Sequence, residues 1–282
     1  MFPWNYGFHS GITAYIFLGA FYTVMMAIAA TLAVALLRSR RALGTAQAEH
    51  IRWISDFHNL PAHDRVCRHV FTGEFESRQC PHAFDCRQCE THTKLLAKHP
   101  PVAPEELEEE IFGMSFPLDR FYHRGHTWAH PEPDGTVTVG LDELGRRLLG
   151  RPDGIELPEP GAQVRANGTA FRFRKRNADV RVLSPVDGAV VATGGPGSGW
   201  YLKVKPRGAA IDMRHLLRGA EVRPWLMREL ERLQLTLSKA CAAAPGAYRT
   251  TLADGGVPVA DIAASYPETD WDAVCGEMFL EP

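Results

Sequence analysis

Along this chain the spacing of hydrophobic positions changes several times, and each change marks a different kind of element. Gly11 to Leu37 is almost continuously apolar, and no charged side chain occurs from Met1 to Leu37 when His9 is neutral. As a helix those 27 residues rise roughly 40 Å, against about 30 Å of bilayer hydrocarbon. The pattern predicts a transmembrane helix. Ile51, Ile54 and Phe57, with Trp53 nearby, then recur at helical spacing and predict a juxtamembrane helix ended near Pro61. His99 to Glu110, HPPVAPEELEEE, predicts a linker in which Pro104 opens a short acidic helix. From Phe116 the pattern is that of short strands: Tyr122 to Trp128, Gly135 to Leu141, a short piece at Leu149-Gly150, Ile155 to Val164, two alternating runs within Phe171 to Gly188, and Gly199 to Val204. Their inward face is expected from Val137 and Val139, Val180 and Val182, and Leu202 and Val204, with Gly161 and Gly188 at positive-φ turn positions. Beyond Pro206 the helical period returns. Leu226, Leu230, Leu233 and Leu237 form one stripe after Pro224, and the remainder through Trp271 and Phe279 reads as a small helical cap around Asp254-Gly255-Gly256.

Charge gives the apolar segment a direction. Arg38, Arg40 and Arg41 follow it and no basic residue precedes it, whereas a cleaved signal peptide carries its positive region first. Positive flanks stay inside, so the distribution predicts a single-pass anchor in a bacterial-type inner (plasma) membrane. The N-terminus would lie outside, with Trp4 and Tyr6 at the outer interface, and the rest of the chain in the cytoplasm. With 31 basic against 33 acidic residues the formal charge is -2, which points away from nucleic acid as a partner. The lipid bilayer and a protein partner in a membrane-associated complex are the partners expected. Glycine-rich Gly194 to Gly199 lacks the G-K-[ST] of a phosphate-binding loop.

Candidate chemistry is concentrated in Cys67, Cys80, Cys86 and Cys89, spaced C-x12-C-x5-C-x2-C. A C-x2-C pair lets two thiolates reach one ion from a tight turn, and a pair from upstream completes a tetrahedral set. Structural zinc would fold a segment too short to bury its own core, and an iron-sulfur cluster on the same thiolates would carry electrons. Disulfides or unliganded thiols are the remaining reading, disfavoured by a cytoplasmic location. His63, His69, His82 and His92 crowd the same region, and Cys89-x2-His92 makes His92 the first substitute ligand. Cys241 and Cys275 lie far away and are expected as buried thiols.

Several landmarks occur in a fixed order: His126-x-Trp128, Thr136-Val137-Thr138-Val139-Gly140, a helix Asp142 to Leu149 ending at Leu149-Gly150, Leu157-Pro158-Glu159-Pro160-Gly161, the hairpin, Ser184-Pro185-Val186-Asp187-Gly188, and Gly199-Trp200. This order resembles the glycine cleavage system H protein, a member of the biotinyl/lipoyl-attachment fold. The resemblance implies a flattened all-β barrel that presents the hairpin at one end. It also implies a lipoyl lysine seven residues before the serine of the SPV-x-G turn. That position is Asn177, whose amide nitrogen cannot be acylated as an amine is, and Ala178 after it matches the small residue of the family pattern. Lys175, two residues early, is the low-odds substitute. With lipoate not expected, Arg172, Arg174, Lys175 and Arg176 would form a cationic knob able to dock on an acidic partner or an anionic lipid surface. The segment with Cys67-x-His69, Gly73 and Cys86-x2-Cys89 resembles the cysteine-rich segment ahead of H-protein-like domains in some bacterial proteins. His126 and Trp128 are read as residues packed at the barrel edge.

The fold class expected is therefore multi-domain: a transmembrane anchor over 1–41, a juxtamembrane helix, cysteine module and linker over 42–112, an all-β barrel over 113–206 and a helical extension over 207–282. No nucleophile, base and acid constellation stands out, so the chain is read as a non-enzymatic, non-lipoylated binding or accessory subunit with a four-cysteine metal site. An iron-sulfur electron-transfer subunit, and a lipoyl carrier of glycine-cleavage type modified at Lys175, are the alternatives.

Overall fold

Uninterrupted apolar sequence without glycine or proline breaks after Gly19 makes one long helix, α1, over Ile12–Leu43. Its Tyr15–Arg38 portion is long and apolar enough to cross a membrane. In a computed structural model the described residues are 11–43, 46–98, 108–176, 178–208, 211–241, 258–267 and 269–280. They divide into two units, Met1–Ala48 and Glu49–Pro282. The expected cap centre, Asp254 to Gly256, lies outside the described residues.

In the second unit the helices are α2 (Ala46–Asn59, which begins in the first unit), α3 (Arg68–Phe71), α4 (Glu90–Lys98), α5 (Glu143–Leu149), α6 (Val222–Cys241), α7 (Ile262–Ser265) and α8 (Trp271–Met278). The strands are β1 (Glu108–Ile111), β2 (Met114–Pro117), β3 (Phe121–Tyr122), β4 (Thr127–Pro131), β5 (Val137–Leu141), β6 (Gly154–Glu156), β7 (Gln163–Val164), β8 (Thr169–Lys175), β9 (Ala178–Leu183), β10 (Gly188–Gly195) and β11 (Trp200–Pro206). A six-stranded sheet runs β3-β4-β5-β11-β10-β7, a three-stranded one β6-β8-β9, and β1 pairs with β2. All these pairings are antiparallel. The two larger sheets share one core: Phe171 and Phe173 of β8 meet Tyr201 of β11 at ring distances of 5.0 and 5.2 Å. Val137, Val139, Val180, Val182, Leu202 and Val204 are all buried, as their alternation requires.

Three local expectations fail for physical reasons. Glu108–Ile111 is a strand rather than the end of an acidic helix, because Ile111, Met114 and Phe116 all enter the core from a hairpin turned at Phe112 and Gly113, both at positive φ. Tyr122 to Trp128 is not one strand. Residues 123–126 leave the sheet as a turn closed by His123 N–H to Thr127 O at 2.7 Å, which lets buried His123, Arg124 and His126 find polar partners. Gly161 has φ +94 as expected, but Gly188 is absent from the positive-φ glycines. It is needed for a close approach instead: a Cβ there would stand 2.4 Å from Lys205 O and 2.6 Å from Val204 Cγ1 on β11.

The leucine stripe of α6 faces inward, with Leu226, Leu233 and Leu237 buried and Leu230 packed against the same core. What fastens α6 to the sheets is polar as well as apolar. His126, fully buried at φ +61, places Nδ1 3.0 Å from Asp142 Oδ2 and Nε2 3.7 Å from Glu229 Oε2 of α6. Its ring lies 5.6 Å from Trp225 and 5.7 Å from Phe279. Burial pulls its pKa down, but Asp142 and then Glu229 outweigh that and raise it to about 9. Glu229 continues to Arg232 at 3.4 Å, whose other nitrogen stands 3.7 Å from Asp64. His123 is the opposite case. Burial holds its pKa down at about 3, and it donates Nε2–H to Asn167 Oδ1 at 2.7 Å.

Two predictions follow from the packing. His126 is protonated more readily in the folded chain than in the unfolded one, so its contribution is full below the unfolded pKa of about 6.5 and is lost as pH rises through about 9. Denaturation followed by tryptophan fluorescence should show stability falling by up to about 3 kcal/mol across that window, and His126→Asn, which tolerates the left-handed backbone, should flatten the slope. Gly188→Ala, forced against the β11 backbone, should cost about 2–3 kcal/mol by the same measurement.

Candidate functional site

The β8–β9 hairpin is built by alternation. Phe171, Phe173 and Lys175 point to the buried side of β8, and Arg174 and Arg176 to solvent. The ladder ends on the pair Lys175 and Ala178, and Arg176, next along the chain, has φ +54. Asn177, the position that the resemblance gives to the lipoyl lysine, lies outside the described residues.

Lys175 is 7% exposed. Its Nζ donates to Arg151 O at 2.7 Å and to Asp261 Oδ2 at 3.2 Å. Asp261 is the N-cap of α7, accepting from Ala264 N–H at 2.9 Å, and its carboxyl fills the space where a Cβ of Gly150 would stand. Burial pushes the Asp261 pKa up, but the Ala264 amide, Lys175 and the Arg151 amide together hold it below the ordinary carboxylate value. Arg176 is tied at the backbone, its N–H donating to Asp153 Oδ2 at 2.6 Å, and its guanidinium reaches Pro267 O at 3.3 Å. The expected four-residue cationic knob is thus corrected to Arg174 and Arg176, with Arg172 half-buried and Lys175 turned inward. Asp261 was missed in the sequence, where nothing marks an aspartate 86 residues away as a partner.

The four cysteines come from two backbone devices. An antiparallel bridge between Val66 and Gln79, with Cys67 N–H to Arg78 O at 2.8 Å and Cys80 N–H to Arg65 O at 2.6 Å, sets Cys67 beside Cys80. A single helical turn over Cys86–Gln88, closed by Cys89 N–H to Cys86 O at 3.2 Å, carries the other pair. None of the four is in a disulfide. Burial raises the Cys80 pKa against the His82 and Phe84 amides and Arg124, and pushes Cys86 up to about 11 against Arg68 and Arg124. Among the described residues no three of these sulfurs lie within 4.8 Å of one another; the group that meets this spacing is His63, Asp64 and Glu277.

Two buried guanidiniums flank the cysteines, and neither was singled out in the sequence. Arg68 donates Nε to Glu221 Oε1 at 2.9 Å, pairs through Nη2 with the second oxygen, and donates to the carbonyls of Arg214 and Leu216. Arg124 lies over Phe84 at 4.0 Å and Phe71 at 4.8 Å and donates to Val66 O. Burial lowers its pKa, against the pull of Cys80, Cys86 and Glu229. His92, the substitute ligand, is engaged with another histidine: its Nδ1 is 3.0 Å from His69 Nε2, and burial holds its pKa at about 4. Both histidines line a cavity of about 850 Å³ walled by Leu95, Leu96, Met213 and Arg218. His63 and His82 are exposed.

Comparison with known proteins places this geometry. Residues 120–195 match the family model described as Glycine cleavage H-protein. The glycine cleavage system H protein of Neisseria gonorrhoeae (strain ATCC 700825 / FA 1090) is 32% identical over 117 residues, 37% of this chain and 88% of that protein. Glycine cleavage system H protein 2 of Pseudomonas syringae pv. tomato (strain ATCC BAA-871 / DC3000) is 36% identical over 118 residues, 38% of this chain and 92% of that protein. A crystal structure of the glycine cleavage system H protein from Mycobacterium marinum aligns at 25% identity with a TM-score of 0.33, over 40% of this chain and 98% of that one. Proteins of this family are non-catalytic carrier components of an enzyme complex. With a relative more than 30% identical along most of its length, carried on about residues 110–200 here, the chain belongs to the glycine cleavage H-protein family.

Proposed function

We propose that this chain is a membrane-tethered, non-lipoylated binding or accessory subunit that uses the H-protein-like domain for recognition and the four cysteines for a metal. The observation that carries the first half is the placement of Lys175. Its amine is held by Arg151 O and Asp261 inside the molecule, so the one lysine of the hairpin is an anchor rather than an arm. Asparagine at position 177 supplies no amine in its place. The exposed guanidiniums of Arg174 and Arg176 remain to meet an acidic protein or an anionic lipid head group. Arg38, Arg40 and Arg41 support an orientation with the soluble unit in the cytoplasm.

Cys67, Cys80, Cys86 and Cys89 would hold the metal. A bridge-borne pair and a turn-borne pair of thiols supply the donor types, which would draw together on an ion, and the charge suits it: a divalent zinc ion on four thiolates is doubly negative, and so is an oxidised iron-sulfur cluster on the same four. Buried Arg124 and Arg68, both within electrostatic reach of Cys86, are suited to such a centre. Zinc would supply a structural cross-link and a cluster one-electron transfer. His92 is engaged with His69, which favours the all-cysteine set.

Intact mass of the full chain co-expressed with a lipoate-attaching enzyme should show no acyl addition; one lipoyl group mapped to Lys175 would defeat this reading in favour of a carrier. Metal analysis of anaerobically purified protein should give one zinc per chain in a colourless sample, and Cys89→Ser should lower the content at least about tenfold. A brown sample containing iron and sulfide would instead support the electron-transfer subunit.

A further inference from the structure

Among the described residues, one group of three metal-capable side chains, which includes no cysteine, already has its ligand atoms within 4.8 Å of one another: His63, Asp64 and Glu277. His63 and Asp64 lie in the turn that follows α2, fixed by Asp64 N–H to Pro61 O at 3.0 Å, and Glu277 lies in the last turn of α8. Asp64 is 6% exposed, yet its Oδ1 accepts no hydrogen bond. Its ion-pair partners, His63 Nε2 at 3.6 Å and Arg232 Nη1 at 3.7 Å, stand beyond hydrogen-bond distance. Arg232 is otherwise engaged, its Nη2 donating to the carbonyls of Glu277 at 2.6 Å and Met278 at 3.2 Å. A buried carboxylate oxygen left without a donor costs on the order of 1–3 kcal/mol or more. A cation in front of it removes that cost.

The charge of the surrounding network points the same way. Asp142, His126, Glu229, Arg232, Asp64 and Glu277 form a chain of neighbours in which four carboxylates face His126 and Arg232, with Arg124 acting on Glu229 as a third cation. The balance is still negative, which favours a bound cation. An imidazole nitrogen with two carboxylates suits a borderline to hard first-row cation, and it lacks the thiolates that a soft ion prefers. His63 is exposed and Glu277 half-buried, which leaves the ion a path in and room for water ligands.

We propose that His63, Asp64 and Glu277 bind one divalent cation of the zinc or manganese class, fastening the C-terminal helix α8 to the segment after α2. The site is separate from the four cysteines in donors and in place. It is structural: the ion joins two stretches more than 200 residues apart in sequence, His63-Asp64 and Glu277.

Cobalt(II) tests this, since thiolate ligation gives an intense near-ultraviolet charge-transfer band and nitrogen-oxygen ligation does not. Full-length protein, kept reduced in detergent and stripped by chelator, is titrated with cobalt while total binding is measured by calorimetry. The expected result is one ion bound without thiolate absorption, whether or not the cysteines add a second. His63→Ala, an exposed position, and Glu277→Gln should each weaken that ion at least about tenfold and leave any thiolate band and the far-ultraviolet circular dichroism unchanged. The same two variants should lose the rise in melting temperature that the ion gives the parent chain. The proposal is overturned if all bound cobalt shows thiolate absorption, or if the thiolate-free ion binds both variants as it binds the parent. Loss of thiolate absorption alone would strike at the cysteine site and leave this one standing.

Discussion

A protonated imidazole held between two buried carboxylates joins the sheets of this protein to its C-terminal helices. His126 reaches Asp142 on one side and Glu229 on the other, and the polar chain runs on through Arg232 to Asp64. Each charge here lies where water cannot solvate it, so each depends on the next. The left-handed backbone at His126, unfavourable by roughly 1–2 kcal/mol for a residue with a side chain, persists because the contacts around it over-determine the ring's position. Asp142 has two duties. One oxygen accepts from Gly145 N–H at 2.7 Å and starts α5, and the other meets His126. Helix start and inter-layer contact are therefore one structure.

The cysteine segment is attached by the same kind of contact. A small apolar cluster of Trp53, Phe57, Leu60, Ala83 and Phe84 with Leu183 and Leu280 supplies modest hydrophobic contact. Arg68 adds its two-pronged pair with Glu221, and His123 passes a hydrogen bond through Asn167 to Ala83 O at 2.8 Å. Arg87 adds an ion pair to Asp187 in the SPV-x-G turn. The turn that identifies the hairpin register is thus also where the cysteine segment rests.

Features written in local sequence were legible. The alternation of Val137 and Val139 or Val180 and Val182, the aspartate that caps α5, and the leucine stripe of α6 each depend on neighbours within a few positions. The inward turn of Lys175 was not read: its charge suggested solvent and a place in a cationic knob, although it shares the parity of Phe171 and Phe173, which lies on the buried side of the strand. What sequence could not show were partners far along the chain. Glu221 for Arg68, Glu229 for His126 and Asp261 for Lys175 are separated by 153, about 100 and 86 residues, and no pattern links such pairs before the fold exists. Glu108–Ile111 shows the other limit. Acidic residues that would suit a helix are drawn into a strand because Ile111 and Met114 have a core to enter.

The segment that carries Asp261 also bears on whatever approaches Lys175. Ile262, Ala263, Trp271, Val274, Met278 and Phe279 are buried along the same stretch, so the carboxylate cannot retreat from the amine without lifting apolar surface into water. Reaction at that nitrogen is then gated by a local opening equilibrium, and each 1.4 kcal/mol of docking energy lowers the open fraction about tenfold. The amine is thus shielded on one side by Arg151 O and on the other by a segment whose docking is a matter of buried apolar surface.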